Sequence, residues 1–168
     1  FGTDILLECK NFAGMVVGCE ICEDVWSANP PSTQHVQAGA NVIVNLSASN
    51  DLVGKDTYRE ELVKSTSARL LSAYIYASAG AGESTQDVVY SGHNIIAENG
   101  VILTQSQTFT TGIVYADLDI QKLRMENRKM NTRETDMPSE HTIIGFQYDK
   151  IKPTKLTRYF PCTPFVPG

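Results

Sequence analysis

The chain has 168 residues, 42% hydrophobic and 20% charged, with a formal net charge of −5, which suits one globular domain with a sizeable core. Lys and Arg are scattered, which argues against a nucleic-acid partner because such a face needs clustered bases. No apolar run reaches membrane-span length, so no membrane partner is expected, and four unpatterned cysteines (Cys9, Cys19, Cys22, Cys162) suit a reduced, cytoplasmic setting.

In chain order, Asp4 to Lys10 and Met15 to Cys22 read as two strands of a hairpin turned at Asn11–Gly14. The first strand starts so soon after Phe1 that the chain is expected to be a piece of a longer polypeptide. Alternation puts Val17, Cys19 and Ile21 on one face of the second strand and Gly18, Glu20 and Cys22 on the other. Pro30-Pro31-Ser32 opens a short helix to about Ala38, and Asn41 to Leu46 has the apolar run of a strand covered on both faces. This strand–helix–strand order favours parallel pairing. A helix is expected from Lys55 to Leu71, with Tyr58, Leu62, Val63, Leu70 and Leu71 as its buried stripe and Arg59, Glu60, Glu61 and Lys64 on its wet side.

Ala73 to Ala79 reads as a further buried strand and Gly80 to Thr85 as a loop. Short strands are expected at Val88–Tyr90, His93–Glu98, Val101–Ser106 and Gly112–Asp117, with Asn99-Gly100 as a hairpin turn. Asp119 is an N-cap candidate for an amphipathic helix carrying Ile120, Leu123 and Met130; Arg124, Arg128, Lys129 and Arg133 make a solvated basic face there. Beyond residue 132 prolines punctuate the chain, with one apolar segment at Ile143–Tyr148. Residues 1–132 therefore read as the domain, and 133–168 as a linker or docking arm.

The chemistry centres on Val16-Val17-Gly18-Cys19-Glu20-Ile21-Cys22-Glu23-Asp24-Val25-Trp26. Cys19 and Cys22 form C-x-x-C, but no second such pair or His pair completes a zinc site. Residues three apart on a strand also point to opposite faces, so the sulfurs should not meet; Cys19 is expected as a buried core thiol. Cys22 ends the strand as a candidate nucleophile. A thiol attacks as thiolate, a minor form at neutral pH, and acidic neighbours oppose that form, so a lysine or similar cation is required. Without one, an inert buried thiol is the alternative. Gly80–Thr85 lacks the ending of a phosphate loop, no G-x-S-x-G occurs, and His35, His93 and His141 lack ligand spacing.

Cys22-Glu23-Asp24-Val25-Trp26 resembles the nucleophile motif of the nitrilase, or carbon–nitrogen hydrolase, superfamily. Further segments match in order the branch made by the glutaminase domains of glutamine-dependent NAD synthetases: Pro30-Pro31-Ser32, Gly39-Ala40-Asn41, Asn45-Leu46-Ser47-Ala48-Ser49-Asn50, Gly54-Lys55, Ser67-Ala68-Arg69, Tyr74 to Gly80, Gly82-Glu83-Ser84-Thr85, Gly92-His93 and Glu98-Asn99-Gly100. The resemblance implies an α/β fold, part of an α-β-β-α sandwich lacking its N-terminal part. It implies a Glu–Lys–Cys triad whose cysteine, Cys22, attacks the glutamine side-chain amide, releases ammonia and leaves a thioester for water. The triad Glu and Lys would precede Phe1. The lysine and the Glu23 N–H would hold the oxyanion.

Among substrate-binding positions, Glu23 would pair with the glutamine α-amine, Ser49 would contact substrate, and Lys55 would face the α-carboxylate without the fork an arginine offers. The corresponding bland roles are an ion pair, a cap and a solvated first-turn residue. The ammonia would serve a separate ATP- and magnesium-dependent synthetase domain of the same polypeptide that amidates nicotinic acid adenine dinucleotide. No cofactor or metal is expected in this chain, and self-association is. The alternatives are a free-standing amidase on another small amide, or a catalytically inert fragment with an assembly role.

Overall fold

The computed structural model describes residues 2–130, 140–149, 155–158 and 162. Its organising element is a seven-stranded sheet in the order β6-β5-β4-β3-β2-β1-β7. β1 (Ile5–Cys9) and β2 (Val16–Ile21) form the expected antiparallel hairpin, with Leu6 opposite Gly18. Helix α1 (Pro31–Gln37) then leads to β3 (Val42–Ser47), and α2 (Lys55–Leu70) to β4 (Ala73–Ser78). β2, β3 and β4 are parallel, as such connections require. β5 (Ile95–Glu98) and β6 (Val101–Gln105) close that side as antiparallel strands. Their turn uses positive φ at Asn99 and Gly100, 46° and 81°, the geometry that selects Asn-Gly.

One face of the sheet packs on α1 and α2 over a core of Leu6, Val36, Ile43, Val63, Leu70, Tyr74, Tyr76 and Ile95. Gly18 allows the close approach of α1, because a β-carbon there would lie 2.9 Å from His35 Cβ. The α2 stripe differs from expectation. Tyr58 is exposed, whereas Arg59 is completely buried together with Val63, Thr66, Ser67 and Leu70. Its buried Ser67 finds backbone partners: Ser67 Oγ donates to Ser72 O at 2.7 Å and accepts from Gly100 N–H at 3.3 Å.

The other face is covered at one end by α3 (Ile120–Lys129), whose Ile120 and Leu123 sit on Val42 and Ala73. Asp119 caps that helix by accepting from Lys122 N–H at 2.9 Å. Toward the carboxyl ends of the parallel strands the same face is open, with Ile21 and Leu46 65% and 62% exposed. Cys19 lies on this face and is exposed, which corrects the expected buried core thiol: alternation places it on the expected face, but that face lacks a cover here.

Two expected strands are absent. At Val88–Tyr90 the backbone is committed to loop partners: Tyr90 N–H donates to Ser84 Oγ at 3.0 Å and Val89 O accepts from Asp51 N–H at 2.7 Å. Gly112–Asp117 pairs with no strand of the sheet, and Ile113 and Tyr115 face solvent.

Of the expected arm, residues 133–139, 150–154, 159–161 and 163–168 lie outside the described residues. Its apolar segment supplies β7 (Thr142–Phe146), parallel to β1. Farther on, Arg158 forks onto the buried Glu98 carboxylate at 2.9 and 3.0 Å.

β7 is also joined to α1 through two imidazoles. His35 Nε2–H donates to Cys19 O at 2.9 Å, so its Nδ1 accepts from His141 Nε2, also at 2.9 Å. Burial first, then His35, hold the His141 imidazole below its ordinary range, with Asp4 pulling the other way. A lowered folded value favours the neutral ring, so this stability is present above the ordinary imidazole range and is lost as pH falls through the lowered one. Hydrogen exchange, corrected for intrinsic rate, is therefore expected to show β7 losing protection between about pH 7 and 5. His141→Gln, which keeps a donor toward His35, should remove that dependence; an unchanged profile in the variant would contradict it.

Candidate active site

The carboxyl ends of β2, β3 and β4 lie side by side, the place where parallel sheets present ligand sites. β2 ends at Ile21, and the chain enters a single 3-10 turn, Cys22–Trp26. Cys22 opens that turn at φ 49°, left-handed backbone that few side chains adopt. Asp24 stabilises the entry by accepting from Ile21 N–H at 2.7 Å. The result is a sharp elbow that leaves the thiol half-buried at the strand end and Glu23 exposed beside it.

The elbow is gripped from β3. Asn45 Oδ1 accepts from Cys22 N–H at 3.1 Å, and Asn45 Nδ2 donates to Cys22 O at 3.3 Å. Asn45 Nδ2 also reaches Tyr74 Oη on β4 at 3.2 Å. Tyr74 donates in turn to the Glu20 carboxylate, whose other oxygen accepts from Ser32 N–H at 2.9 Å. Glu20, Asn45 and Tyr74 are all buried. Asn45 therefore cannot serve as the glycosylation acceptor that Asn45-Leu46-Ser47 spells.

Lys55, at the first turn of α2, leans over the same elbow. Its Nζ donates to Asn50 Oδ1 at 2.8 Å and lies 5.4 Å from the centre of the Trp26 ring. Burial first, then the neighbouring Arg59 charge, hold its ammonium below the ordinary lysine range; Asp51, Cys22 and Glu23 act in the opposite sense. Lys55 thus faces the turn whose first two residues are Cys22 and Glu23. Ser49 is buried two residues beyond β3, next to the Asn50 that holds Lys55.

Under Lys55, Arg59 stands 3.6 Å from Asp51 and donates to His93 Nδ1 at 3.2 Å, while His93 Nε2–H donates to Gln105 Oε1 at 3.1 Å. The sequence alone does not single out Glu20, Asn45, Tyr74 and Arg59 as site-shaping groups. The available signal was a polar side chain on a face that must be buried, since such groups need partners. Among the described residues no three His, Cys, Asp or Glu side chains group as a metal site.

The carbon–nitrogen hydrolase family model matches residues 3–125. The glutamine-dependent NAD(+) synthetase of Mycobacterium tuberculosis is 44% identical over 134 residues, which cover 79% of this chain and 20% of that protein. The enzyme of that name from Drosophila melanogaster is 30% identical over 122 residues, 71% of this chain and 15% of its own. The chain thus spans about a fifth or less of these relatives' length. Among solved structures, a glutamine-dependent NAD+ synthetase from Acinetobacter baumannii, in complex with ADP, superposes with a TM-score of 0.58 at 25% identity, over 64% of this chain and 20% of that one. Saccharomyces cerevisiae Nit3, of the nitrilase superfamily, shares the fold with a TM-score of 0.59 at 19% identity, over 70% and 42% of the two chains.

Proposed function

The chain belongs to the carbon–nitrogen hydrolase family, and from that premise we propose that it is the part of a glutaminase domain carrying the nucleophile, Cys22, which releases ammonia from glutamine for NAD synthesis. The observation that carries this reading is the elbow: a thiol at left-handed φ, at the carboxyl end of a parallel strand, with a carboxylate next in sequence and a lysine over the Trp26 ring that ends the same turn. Cys22 Sγ would attack the side-chain carbonyl carbon of glutamine, ammonia would leave, and water would cleave the thioester. Because Asn45 already engages the Cys22 N–H, the Glu23 N–H is the backbone donor assigned to the oxyanion.

Glu23 and Lys55 would hold the two charged ends of the amino acid, with Ser49 between them. The open face around Ile21 and Leu46 is where the second sheet of the sandwich would pack, bringing the triad's Glu and Lys. The ammonia would pass to a synthetase domain of the same polypeptide, which supplies the ATP and magnesium chemistry. Residues 133–168 would lead toward that domain, and a homo-oligomer would complete the assembly.

Glu23→Gln keeps the backbone donor but removes the charge that faces an α-amine. Its KM for glutamine is expected to rise about 10- to 100-fold, the worth of a charged hydrogen bond, while turnover of a simple amide without an α-amino group stays as it was. Equal losses on both amides would assign Glu23 to the chemistry and not to substrate choice.

A further inference from the structure

The hydrogen bonds behind Cys22 run in one direction only. Glu20, as a carboxylate, can only accept, and Ser32 N–H, which can only donate, takes one of its oxygens at 2.9 Å. Tyr74 must then give its single proton to the other oxygen. Burial first, then the Glu20 charge, hold the Tyr74 phenol far above its ordinary range, so it remains a donor. Its oxygen therefore faces Asn45 as an acceptor, which requires the Asn45 amide nitrogen on that side, at 3.2 Å. The Asn45 oxygen is thereby turned onto Cys22 N–H at 3.1 Å.

We infer that Glu20 sets the polarity of this relay and, through Tyr74 and Asn45, locks the Cys22 peptide in the orientation that catalysis requires. All three are positioning residues. The inference rests on the reading of Cys22 as the nucleophile. It explains why a carboxylate is buried on the core face of β2, where an apolar residue would be simpler to accommodate. It also explains how a strained elbow holds a single geometry: the amide gripping it cannot flip without setting donor against donor.

Glu20→Gln in the natural full-length protein reverses the logic. With its oxygen on Ser32 N–H, the substituted carboxamide points its NH2 at Tyr74, which must turn its proton toward Asn45. Asn45 then flips and presents NH2 to Cys22 N–H. Glutamine-dependent kcat is expected to fall about 10-fold or more, the worth of a lost hydrogen bond, with KM within about 2-fold because no substrate contact changes.

Tyr74→Phe in the Glu20→Gln background removes the hydroxyl that transmits the reversal, so the double variant should be faster than Glu20→Gln alone. Losses that multiply, as independent packing defects do, would overturn the relay, as would an unchanged kcat in Glu20→Gln. Asn45→Asp, which cannot donate to Cys22 O, is a decisive variant by itself: kcat down with KM kept supports the relay, and unchanged kcat overturns it. Hydrogen-exchange protection of β2, β3 and β4 at the parent level certifies folding of this part of the protein in each variant. Cys22→Ala, run alongside, separates the two ideas: glutamine turnover persisting there overturns the proposed function, whatever the relay variants do.

Discussion

Cys22→Ala in the full-length protein is expected to lower glutamine-dependent synthesis by about 10⁴-fold or more, the scale of nucleophile removal in a covalent mechanism, and to leave ammonia-dependent synthesis within about 2-fold of the parent. Without Sγ no thioester forms, and water alone has no comparable path to the amide carbon. The substitution is mild for the fold. The elbow already holds a non-glycine residue at φ 49°, Asn45 grips backbone atoms that alanine keeps, and the thiol is only half-buried. The synthetase reaction would draw on free ammonia and bypass Cys22. Loss of both activities, or of neither, would contradict the assignment.

Arg59→Ala is expected to be the most damaging single change to this chain's stability. Its side chain is completely buried, within 3.6 Å of Asp51, whose side chain is 11% exposed. It also donates to His93 and lies 5.9 Å from the centre of the Tyr76 ring. Removing it strands a mostly buried carboxylate, orphans an acceptor on His93 and opens a cavity. Breaking a buried pair by deleting one partner costs about 3–5 kcal/mol, which predicts a fall of about 100-fold or more in hydrogen-exchange protection across α2. Arg69→Ala on the exposed side of the same helix should change protection little, because surface substitutions stay within about 0.5 kcal/mol. Similar behaviour of the two variants would show that the Arg59 charge is not held as the structure describes.

Most of the architecture was legible because the signals were periodic and local. The hairpin, the two strand–helix–strand units, the Asn99-Gly100 turn and the Asp119 cap each depend on residues close in sequence. The motif resemblance pointed to Cys22, Glu23 and Lys55; Cys22 and Glu23 open the turn that Trp26 ends, and Lys55 lies over the Trp26 ring. Four things were not legible for physical reasons. Arg59 falls on the wet side of a simple helical wheel, but α2 buries a polar stripe because Asp51, in the loop that enters α2, and His93, from a loop distant in sequence, wait beneath it. Alternation gives Cys19 its face, but whether a face is covered depends on what packs there, and the strand itself carries no record of that. Val88–Tyr90 and Gly112–Asp117 have strand-like composition, yet strands need a neighbouring edge, and their backbones found none. The Glu20–Tyr74–Asn45 relay joins three strands, so spacing along the chain could not announce it.

If Cys22 Sγ is the atom that bonds to the glutamine amide carbon, it can be trapped covalently. The full-length protein is treated with a glutamine-shaped diazoketone, and the adduct is mapped by peptide mass spectrometry. A single adduct on Cys22, suppressed by excess glutamine, is expected. An adduct on the exposed Cys19 or Cys162 that glutamine does not suppress, with Cys22 unmodified, would contradict it.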